Sequence, residues 1–237
     1  MTPAQTHPAR KLLKRLLGPV LKPLAGQLSK KSRTWDYLGV KAVVLPGVFH
    51  PGLFISTKIL ARLLKKEPLT GKRVLELGCG SGFLSALMAV QGAAVTASDI
   101  NPNAVENAKA NGELNDVHVT GVQSDLFAEL QGQRFDLMVI NPPYYPQNPK
   151  NEEEHAWYCG AEFEYFQRLF AELGGHLSDD GVAWMILSED CAIDRIEAIA
   201  REHGVEMKER HRERRMLEWN FVYELDAPVG MAHGLDG

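Results

Sequence analysis

Four consecutive residues, Asn141-Pro142-Pro143-Tyr144, directly follow the apolar run 135–140. Neither proline has an N–H group to donate to a sheet, so the chain must leave the strand at this point. In open α/β sheets, ligands bind at the carboxyl ends of the strands. An amide side chain, a carbonyl that no helix satisfies and an aromatic ring could together hold a flat molecule with an NH2 group. The four residues therefore predict a site for a planar amino or amide nitrogen.

A glycine-rich stretch, Gly78-Cys79-Gly80-Ser81-Gly82, lies between a predicted strand at 73–77 and a predicted helix that begins at residue 83. Glycines allow the backbone to approach a ligand closely. The spacing GxGxG differs from the GxGxxG of dinucleotide sites. The carboxylate of Glu76 beside this loop would repel a phosphate and attract a cationic amino acid or sulfonium. The loop therefore favours S-adenosylmethionine over NAD as the cofactor.

Asp99 ends the next predicted strand, at 94–99, and is followed by Ile100. A carboxylate at this place can accept hydrogen bonds from both hydroxyls of a ribose. The alternative is a helix N-cap ahead of Asn101-Pro102. With the glycine loop next to it, we expect Asp99 to bind ribose and Ile100 to border the cofactor.

Asp125 follows the third predicted strand, in the stretch Gln123-Ser124-Asp125-Leu126. Its carboxylate can accept a hydrogen bond from the adenine amino group while Leu126 packs on the ring. A turn or a helix N-cap is the alternative. The sequence thus predicts a cofactor site made of the following residues: Glu76, Gly78, Cys79, Gly80, Gly82, Asp99, Ile100, Asp125, Leu126 and Asn141.

The elements that must position these residues alternate along the chain. We predict strands at 73–77, 94–99, 117–122, 135–140 and 182–187, with helices over 83–91, after Asn101, over 161–174 and over 190–203. Two final strands, at 205–212 and 219–225, are predicted to pair in antiparallel fashion. This alternation predicts a parallel, doubly wound sheet.

Length and composition set the broad class. The 237 residues suit one α/β domain with an N-terminal extension, and 45% hydrophobic with 24% charged residues is ordinary for a soluble protein. No apolar run approaches the roughly 18–20 residues that span a bilayer. The three cysteines show no CxxC spacing and no disulfide framework, which favours a reducing cytoplasm.

The charge is unevenly distributed. Residues 1–35 hold eight Lys/Arg and no acidic residue, which leaves 18 basic against 30 acidic residues and a net charge of −12 for the remainder. We therefore divide the chain into a basic extension over 1–40, with a helix predicted over 9–17, and a cofactor-binding domain over 41–237. The extension indicates an anionic partner such as RNA, the ribosome or a membrane surface; a solvated leader is the alternative.

Taken in order, these motifs resemble the class I S-adenosylmethionine-dependent methyltransferases. The stretch Val74-Leu-Glu-Leu-Gly-Cys-Gly-Ser-Gly-Phe83 resembles their first motif, and Asn141-Pro-Pro-Tyr144 resembles the fourth motif of members that methylate amino groups. The likeness covers roughly residues 48–226. Within the superfamily the chain is most similar to the release-factor glutamine N5-methyltransferases, through Val48-Phe49-His50-Pro51 and Ala156-Trp157-Tyr158-Cys159-Gly160.

This resemblance implies a Rossmann-like fold with a seven-stranded, mostly parallel sheet and a closing antiparallel strand. It also implies a protein substrate such as a translation release factor. Two features depart from the family pattern. The chain has Gly52-Leu53-Phe54-Ile55 where members usually carry acidic residues, and residues 1–40 are too few for the helical substrate domain of bacterial members. RNA methylases that act on guanine N2 or adenine N6 share much of the pattern, so structured RNA is the alternative acceptor.

The predicted chemistry follows from the nature of the acceptor nitrogen. The lone pair of an amide or aromatic amino nitrogen is delocalised, which makes it a poor nucleophile. We expect the Asn141 side-chain oxygen and the Pro142 carbonyl to accept its two N–H groups, and Tyr144 to stack on the flat substrate. These acceptors would stabilise the positive charge that develops on nitrogen. The reaction needs no metal and no strong general base.

Two further stretches are weaker candidates. The run Lys208-Glu-Arg-His-Arg-Glu-Arg-Arg215 could form a surface for RNA or an acidic factor, and a solvated strand face explains it equally well. His155 and Trp157 could cover the substrate, although such residues more often pack in the interior. Two alternatives of other classes are a non-catalytic scaffold that binds the cofactor and, less favoured by the loop spacing, a nicotinamide oxidoreductase.

Overall fold

The computed structural model describes residues 32–45, 48, 55–215 and 218–228. The predicted helix over 9–17 lies outside the described residues, as do most of the basic extension and most of the segment 48–55. The domain boundary predicted after residue 40 falls within a hairpin that packs against the rest of the chain.

Within these residues, strands and helices alternate as the apolar pattern predicts. The strands are β1 (Arg33–Tyr37), β2 (Val40–Val44), β3 (Arg73–Leu77), β4 (Ala94–Asp99), β5 (Val119–Gln123), β6 (Phe135–Ile140), β7 (Leu177–Ser188), β8 (Glu206–Arg215) and β9 (Glu218–Asp226). The α-helices are α1 (Ile55–Leu64), α2 (Phe83–Val90), α3 (Pro102–Glu113), α4 (Glu164–Leu173) and α5 (Ile193–Glu202). Two 3₁₀ helices span Glu152–Ala156 and Gly174–His176.

Seven of these strands form one sheet in the order β5-β4-β3-β6-β7-β9-β8. The strands from β5 to β7 pair in parallel, whereas β9 pairs antiparallel with both β7 and β8. Parallel neighbours require crossover helices, which are α2, α3 and α4. The predicted seven-stranded, mostly parallel sheet with an antiparallel closing strand is confirmed.

Two hydrophobic clusters cover the two faces of this sheet. One contains residues of α1, α2, α3 and the β1–β2 hairpin, and the other contains residues of α4, α5 and the segment after β5. Because both faces are covered, the central strands are almost entirely buried, as in β6, where five of the six residues are buried. A sheet buried in this way leaves only the ends of its strands free to bind a ligand.

The order of the strands determines where a ligand can bind. From β3 the chain proceeds outward to β4 and β5, then returns to place β6 on the other side of β3. Leu77 and Ile140, the last residues of β3 and β6, are register partners. The glycine loop and Asn141 therefore leave adjacent strands at the point where the direction of winding reverses, which is the usual ligand site of such sheets.

The β1–β2 hairpin is attached to α3 by a ladder of three asparagine side chains. Asn115, Asn111 and Asn107 accept hydrogen bonds from the backbone N–H groups of residues 41, 43 and 45 at 2.8–3.0 Å. Four helical residues rise about 6 Å and two strand residues about 6.6 Å. Asparagines four apart on a helix can therefore match alternate residues of a strand, and here they take the place of a neighbouring strand.

Asn111 is the central rung of this ladder and also reaches the glycine loop. It is 1% exposed, and its side-chain nitrogen donates to the carbonyls of Val43 at 2.9 Å and Ser81 at 2.8 Å. We expect Asn111→Ala to lower the free energy of unfolding by ~2–4 kcal/mol, since it leaves buried backbone groups without partners. The more exposed rung provides a control, because water can replace its bonds: Asn115→Ala should cost about 1 kcal/mol or less. Urea denaturation measures both, and equal losses would contradict the bridging role of Asn111.

Candidate functional site

A cleft lies at the carboxyl ends of the parallel strands. Counting the part open to solvent, its volume is about 1430 Å³. It is lined by the glycine loop, by the residues after β4, β5 and β6, and by the 3₁₀ segment at 155–157. Except for Gly82, all the site residues predicted from the sequence line this cleft: Glu76, Gly78, Cys79, Gly80, Asp99, Ile100, Asp125, Leu126, Asn141, Pro142, Pro143 and Tyr144.

Gly82 lies behind the cleft, where it allows two helices to approach each other. It is the N-cap of α2 and has a φ of +68°, and a β-carbon at this position would overlap Ala108 of α3. Gly78, by contrast, has open space where a β-carbon would lie. The N–H groups of Gly78 and Cys79 both donate to the carbonyl of Ser98 at 2.9 Å, which holds the loop against the end of β4.

Asp99 is placed beneath the glycine loop. Its Oδ2 accepts the N–H of Gly80 and its Oδ1 accepts the N–H of Asn101, both at 2.9 Å. The N-cap of α3 is Asn101, whose side chain accepts the N–H of Asn103. Asp99 is therefore not the helix cap that the sequence offered as the alternative, and its carboxylate is fixed with further acceptor capacity toward the cleft. Burial raises the pKa of Asp99 above its usual value.

Glu76 is the most deeply buried carboxylate of the cleft, with 6% exposure. Its Oε2 accepts the N–H of Ser85 at 2.7 Å and also the Ser85 hydroxyl. Burial raises the pKa of Glu76 to about 8; the nearby charge of Asp99 adds to this effect, and the two hydrogen bonds from Ser85 oppose it. A cationic group bound in the cleft would favour the ionised form of Glu76, which is the property expected of a carboxylate that holds an ammonium or sulfonium ligand.

Asp125 lies at the open end of the cleft, with its side chain 51% exposed. Its Oδ2 accepts a hydrogen bond from Nη1 of Arg168 at 2.9 Å. Leu126, which follows it, is buried and has a φ of +53°. Ile100 lies on the rim with 41% exposure. The apolar rim residue and the carboxylate thus border the same end of the cleft.

Asn141 leaves the sheet beside the glycine loop. It is half-buried, and its side-chain amide makes no hydrogen bond with any part of the chain that the structure describes. Tyr144 is half-buried as well, and its ring lies 4.8 Å from that of Tyr145. Burial raises the pKa of Tyr144 well above its usual value, so its hydroxyl stays protonated at neutral pH. The motif therefore presents an amide and a neutral aromatic ring to the cleft.

The residues after Tyr144 are joined to the segment that carries Trp157. Tyr145 donates its N–H to the carbonyl of Trp157 and accepts the N–H of Cys159, both at 3.0 Å, and forms a parallel bridge with Tyr158. His155, Ala156 and Trp157 line the cleft as a result. The structure thus places His155 and Trp157 in the lining of the cleft that also contains Asn141, where the sequence allowed a cover over the substrate.

The basic run 208–215 forms β8 and is largely neutralised by acidic neighbours. Its ion pairs are Lys208 with Glu206 and Asp226, Arg210 with Glu67 and Glu224, Arg212 with Glu209, and Arg215 with Glu213. Arg210 also lies over the ring of Trp184, at 4.1 Å from its centroid. The solvated, ion-paired strand face is the arrangement that the structure shows.

Among the residues that the structure describes, no group of three or more His, Cys, Asp and Glu side chains is arranged to hold a metal ion. No helix in the described ranges is both long and apolar enough to cross a bilayer.

Several residues at the cleft were not predicted from the sequence, and three of them carry groups that bear on ligand binding. Tyr165 lines it from α4, Arg168 pairs with Asp125, and the hydroxyl of Ser98 is buried in its wall without a hydrogen-bond partner among the described residues. Ser98 directly precedes Asp99, so its place at a strand end could have been noticed. Nothing in the local pattern around Tyr165 and Arg168 indicates contact with residues some 40 positions earlier.

The cleft fits S-adenosylmethionine. A buried carboxylate suits the cationic amino acid part, a fixed carboxylate suits the ribose, and the rim that contains Ile100 and Asp125 suits an adenine. The orphaned Ser98 hydroxyl offers one further polar contact. These properties disfavour a nicotinamide dinucleotide, whose pyrophosphate would lie at the glycine loop beside the carboxylate of Glu76.

Comparison with known proteins agrees with this geometry. The sequence profile of the family described as "Methyltransferase small domain" matches residues 39–211. A relative from Methanocaldococcus jannaschii, provisionally named a protein N5-glutamine methyltransferase, is 35% identical over 159 residues, which are 63% of this chain and 77% of the relative. The ribosomal protein L11 methyltransferase of Thermosipho africanus is 48% identical over 100 residues, which are 41% of this chain and 38% of that protein.

Among solved structures, the T. thermophilus 16S rRNA N2 methyltransferase RsmC, in complex with AdoMet and guanosine, aligns with a TM-score of 0.60 and 22% identity. The alignment covers 83% of this chain and 50% of that one. At this identity the likeness shows the fold, and the chain spans half or less of both RsmC and the Thermosipho relative. The family match covers most of the chain. The protein therefore belongs to the methyltransferase small domain family and is an S-adenosylmethionine-dependent methyltransferase.

Proposed function

We propose that the protein methylates the side-chain amide nitrogen of a glutamine in another protein, with a translation release factor as the first candidate. The observation that carries the proposal is the composition of the cleft. Its described lining contains the carboxylates of Glu76, Asp99 and Asp125, and it contains no lysine or arginine. RNA brings phosphates to any site that binds one of its bases, and proteins that bind RNA neutralise these phosphates with cationic side chains. An uncharged amide suits such a cleft better.

Two further observations support a protein acceptor. The cationic side chains of β8 are mostly engaged by acidic neighbours and offer little free charge to a nucleic acid. The M. jannaschii relative and the Thermosipho relative both carry names that assign them protein substrates. The guanine N2 named for RsmC supports an RNA base as the alternative acceptor.

The proposed mechanism assigns separate roles to the residues of the motif. The Asn141 side-chain oxygen and the Pro142 carbonyl accept the two N–H groups of the substrate amide and so fix the direction of the nitrogen lone pair. Tyr144 packs against the flat amide and keeps water from one face of it. When bound, the cofactor supplies a methyl group made electrophilic by a cationic sulfur.

The motif contributes most in the transition state. As the nitrogen–carbon bond forms, the bond between the methyl group and sulfur breaks and its electron pair stays on sulfur. The amide nitrogen becomes positive, its N–H groups become stronger donors, and one of these protons is afterwards lost to water. Oxygen acceptors that are already oriented therefore stabilise the transition state more than the ground state. Holding the amide and the methyl donor in line adds a further contribution from positioning. Neither effect requires a general base with a pKa near neutral.

Labelled S-adenosylmethionine tests the proposal. The full chain is incubated separately with recombinant release factors and with ribosomal RNA, and incorporation is measured in each. We expect label in a release factor, with mass spectrometry locating it on one glutamine, and no label when asparagine replaces that glutamine. Label in RNA alone would refute the glutamine proposal, whereas label in neither, with cofactor binding retained, would favour the scaffold alternative.

A further inference from the structure

The first turn of α4 forms a wall of the cofactor cleft. Tyr165 lies half-buried in this wall, near the carboxylates of both Asp99 and Asp125. Arg168, three residues later, donates to Oδ2 of Asp125 at 2.9 Å. Residues three apart on a helix lie on the same face. One face of α4 therefore borders the part of the cleft that contains Asp99 and Asp125, the two carboxylates predicted to hold the nucleoside part of the cofactor.

This turn is held in place by a tight corner. Gly160 has a φ of +89°, and a β-carbon there would overlap the carboxylate of Glu164. Phe163, at the N-cap, is also left-handed, with a φ of 61°. The N–H of Tyr165 donates to the carbonyl of Cys159 at 3.0 Å. These contacts leave the Tyr165 backbone little freedom to withdraw from the cleft.

From this arrangement we infer that Tyr165 is a cofactor-binding residue whose ring covers the nucleoside part of S-adenosylmethionine. We infer also that Arg168 is a positioning residue that orients the Asp125 carboxylate toward the adenine amino group. Both inferences rest on the methyltransferase activity and are independent of the identity of the methyl acceptor.

The chemistry of the two side chains suits these roles. The ring of Tyr165 offers an apolar face to an adenosine group, and burial raises the pKa of Tyr165, so the hydroxyl adds no negative charge beside Asp99 and Asp125. Arg168 engages one oxygen of Asp125, and Oδ1 has no hydrogen-bond partner among the described residues. A carboxylate fixed in this way can accept an N–H at Oδ1 while its charge is balanced by the guanidinium.

A purely structural role for Tyr165 must be distinguished from a binding role. Its ring meets that of the core residue Phe166 edge-on, with 5.4 Å between centroids. Its removal could therefore disturb packing of α4 against the sheet. The binding role makes a distinct prediction, which is that affinity is lost in equal proportion for any ligand that contains the nucleoside, whether or not it carries the amino acid part.

The test measures binding of three compounds to the full chain by calorimetry. S-adenosylhomocysteine contains the whole framework, methylthioadenosine lacks the amino acid, and S-inosylhomocysteine replaces the adenine amino group with oxygen. Tyr165→Ala should weaken the binding of S-adenosylhomocysteine and of methylthioadenosine by the same factor, about 10-fold, as expected when an aromatic side chain that stacks on a base is removed. Tyr165→Phe keeps the ring and should change either affinity by less than about 3-fold.

Arg168→Ala should weaken the binding of S-adenosylhomocysteine about 5-fold and leave the affinity for S-inosylhomocysteine nearly unchanged, because only the adenine amino group donates to Asp125. Arg195→Ala provides a matched control on α5. The side chain of Arg195 is 50% exposed, close to the 47% of Arg168, and it pairs with Glu202 outside the cleft. This variant should bind all three compounds like the native chain.

Specific outcomes would overturn each inference. The binding role of Tyr165 is excluded if Tyr165→Ala binds S-adenosylhomocysteine and methylthioadenosine with affinities within twofold of those of the native chain. If that variant fails to fold, Tyr165→Leu preserves apolar volume, and native-like affinity of this variant for methylthioadenosine would likewise refute stacking. If Arg168→Ala loses affinity for S-adenosylhomocysteine and for S-inosylhomocysteine by the same factor, the positioning role of Arg168 is refuted.

Discussion

Replacement of Asn141 by alanine is expected to lower kcat for methyl transfer by roughly 10²–10³-fold, the effect of removing one acceptor or donor that stabilises a developing charge. The Kd of S-adenosylmethionine should stay within about twofold of the native value, because the side chain of Asn141 is directed to the acceptor nitrogen in the proposed mechanism. The amide has no partner within the described chain, so its loss leaves no buried group unsatisfied. Stability should therefore change little.

Single-turnover kinetics with labelled cofactor and calorimetric titration of S-adenosylhomocysteine together measure this prediction. Asn148→Ala is the matched control, since Asn148 is exposed, does not line the cleft and accepts the N–H of Ala161. It should retain nearly native kcat. Equal losses of turnover and cofactor affinity in Asn141→Ala would show that Asn141 serves mainly the cofactor.

Replacement of Glu76 by glutamine is expected to weaken S-adenosylhomocysteine binding at pH 8 by on the order of 10²-fold, as when one partner of a buried charge pair is removed. The pKa of Glu76 is about 8 in the absence of ligand, so most molecules carry a neutral carboxyl at pH 7. Binding of a cationic ammonium group favours the ionised form. Affinity of the native chain should therefore rise as pH increases from 6 to 8, by up to about tenfold per pH unit.

The same carboxyl affects stability with a defined sign. Burial raises its pKa in the folded chain from 4.5 to about 8, so between these values the folded state binds more protons than the unfolded state. The free energy of unfolding then falls as pH rises through this window, by roughly 1.4 kcal/mol for each pH unit between the two pKa values. In Glu76→Gln this contribution is absent. Asp99 has a raised pKa as well and remains in the variant, so the difference between the two proteins reports Glu76 together with its interaction with Asp99.

Urea denaturation at pH 6 and pH 9 without cofactor, with calorimetry over pH 6–8, measures both effects. The native chain should lose more stability than Glu76→Gln between the two pH values. Glu129→Gln serves as a control at an exposed carboxyl outside the cleft. If the affinity of the native chain for the cofactor does not change with pH, the proposed contact between Glu76 and the ammonium group is contradicted.

The elements that position the site were predictable because each depends on local pattern. The buried apolar strand before Gly78 ends at Leu77, and the one before Asn141-Pro142-Pro143 ends at Ile140, as the glycine and the prolines predict. Parallel winding then places these strand ends on one edge of the sheet. The sequence could not specify that β3 and β6 are neighbours without the family resemblance, because strand order depends on long-range pairing.

The contacts that hold the site in place were not predictable for the same physical reason. Arg168 pairs with Asp125, and Asn111 pairs with Val43, across 43 and 68 residues of chain. A polar side chain on a helix ordinarily indicates a solvent-exposed face. The asparagines at 107, 111 and 115 have the four-residue spacing of such a face, yet Asn107 and Asn111 are buried because a hairpin lies over them.

The asparagine ladder has a consequence for local opening of the chain. Since N–H groups alternate in direction along a strand, those of residues 41, 43 and 45 report contact with α3, whereas those of 42 and 44 report pairing with β1. Hydrogen exchange can therefore separate detachment of the hairpin from melting of the hairpin itself. Asn111 joins Val43 to the glycine loop, so a ligand that rigidifies the loop will slow exchange of the Val43 amide more than that of Lys41. The amide of Val43 thereby becomes a reporter of cofactor binding that lies outside the cleft.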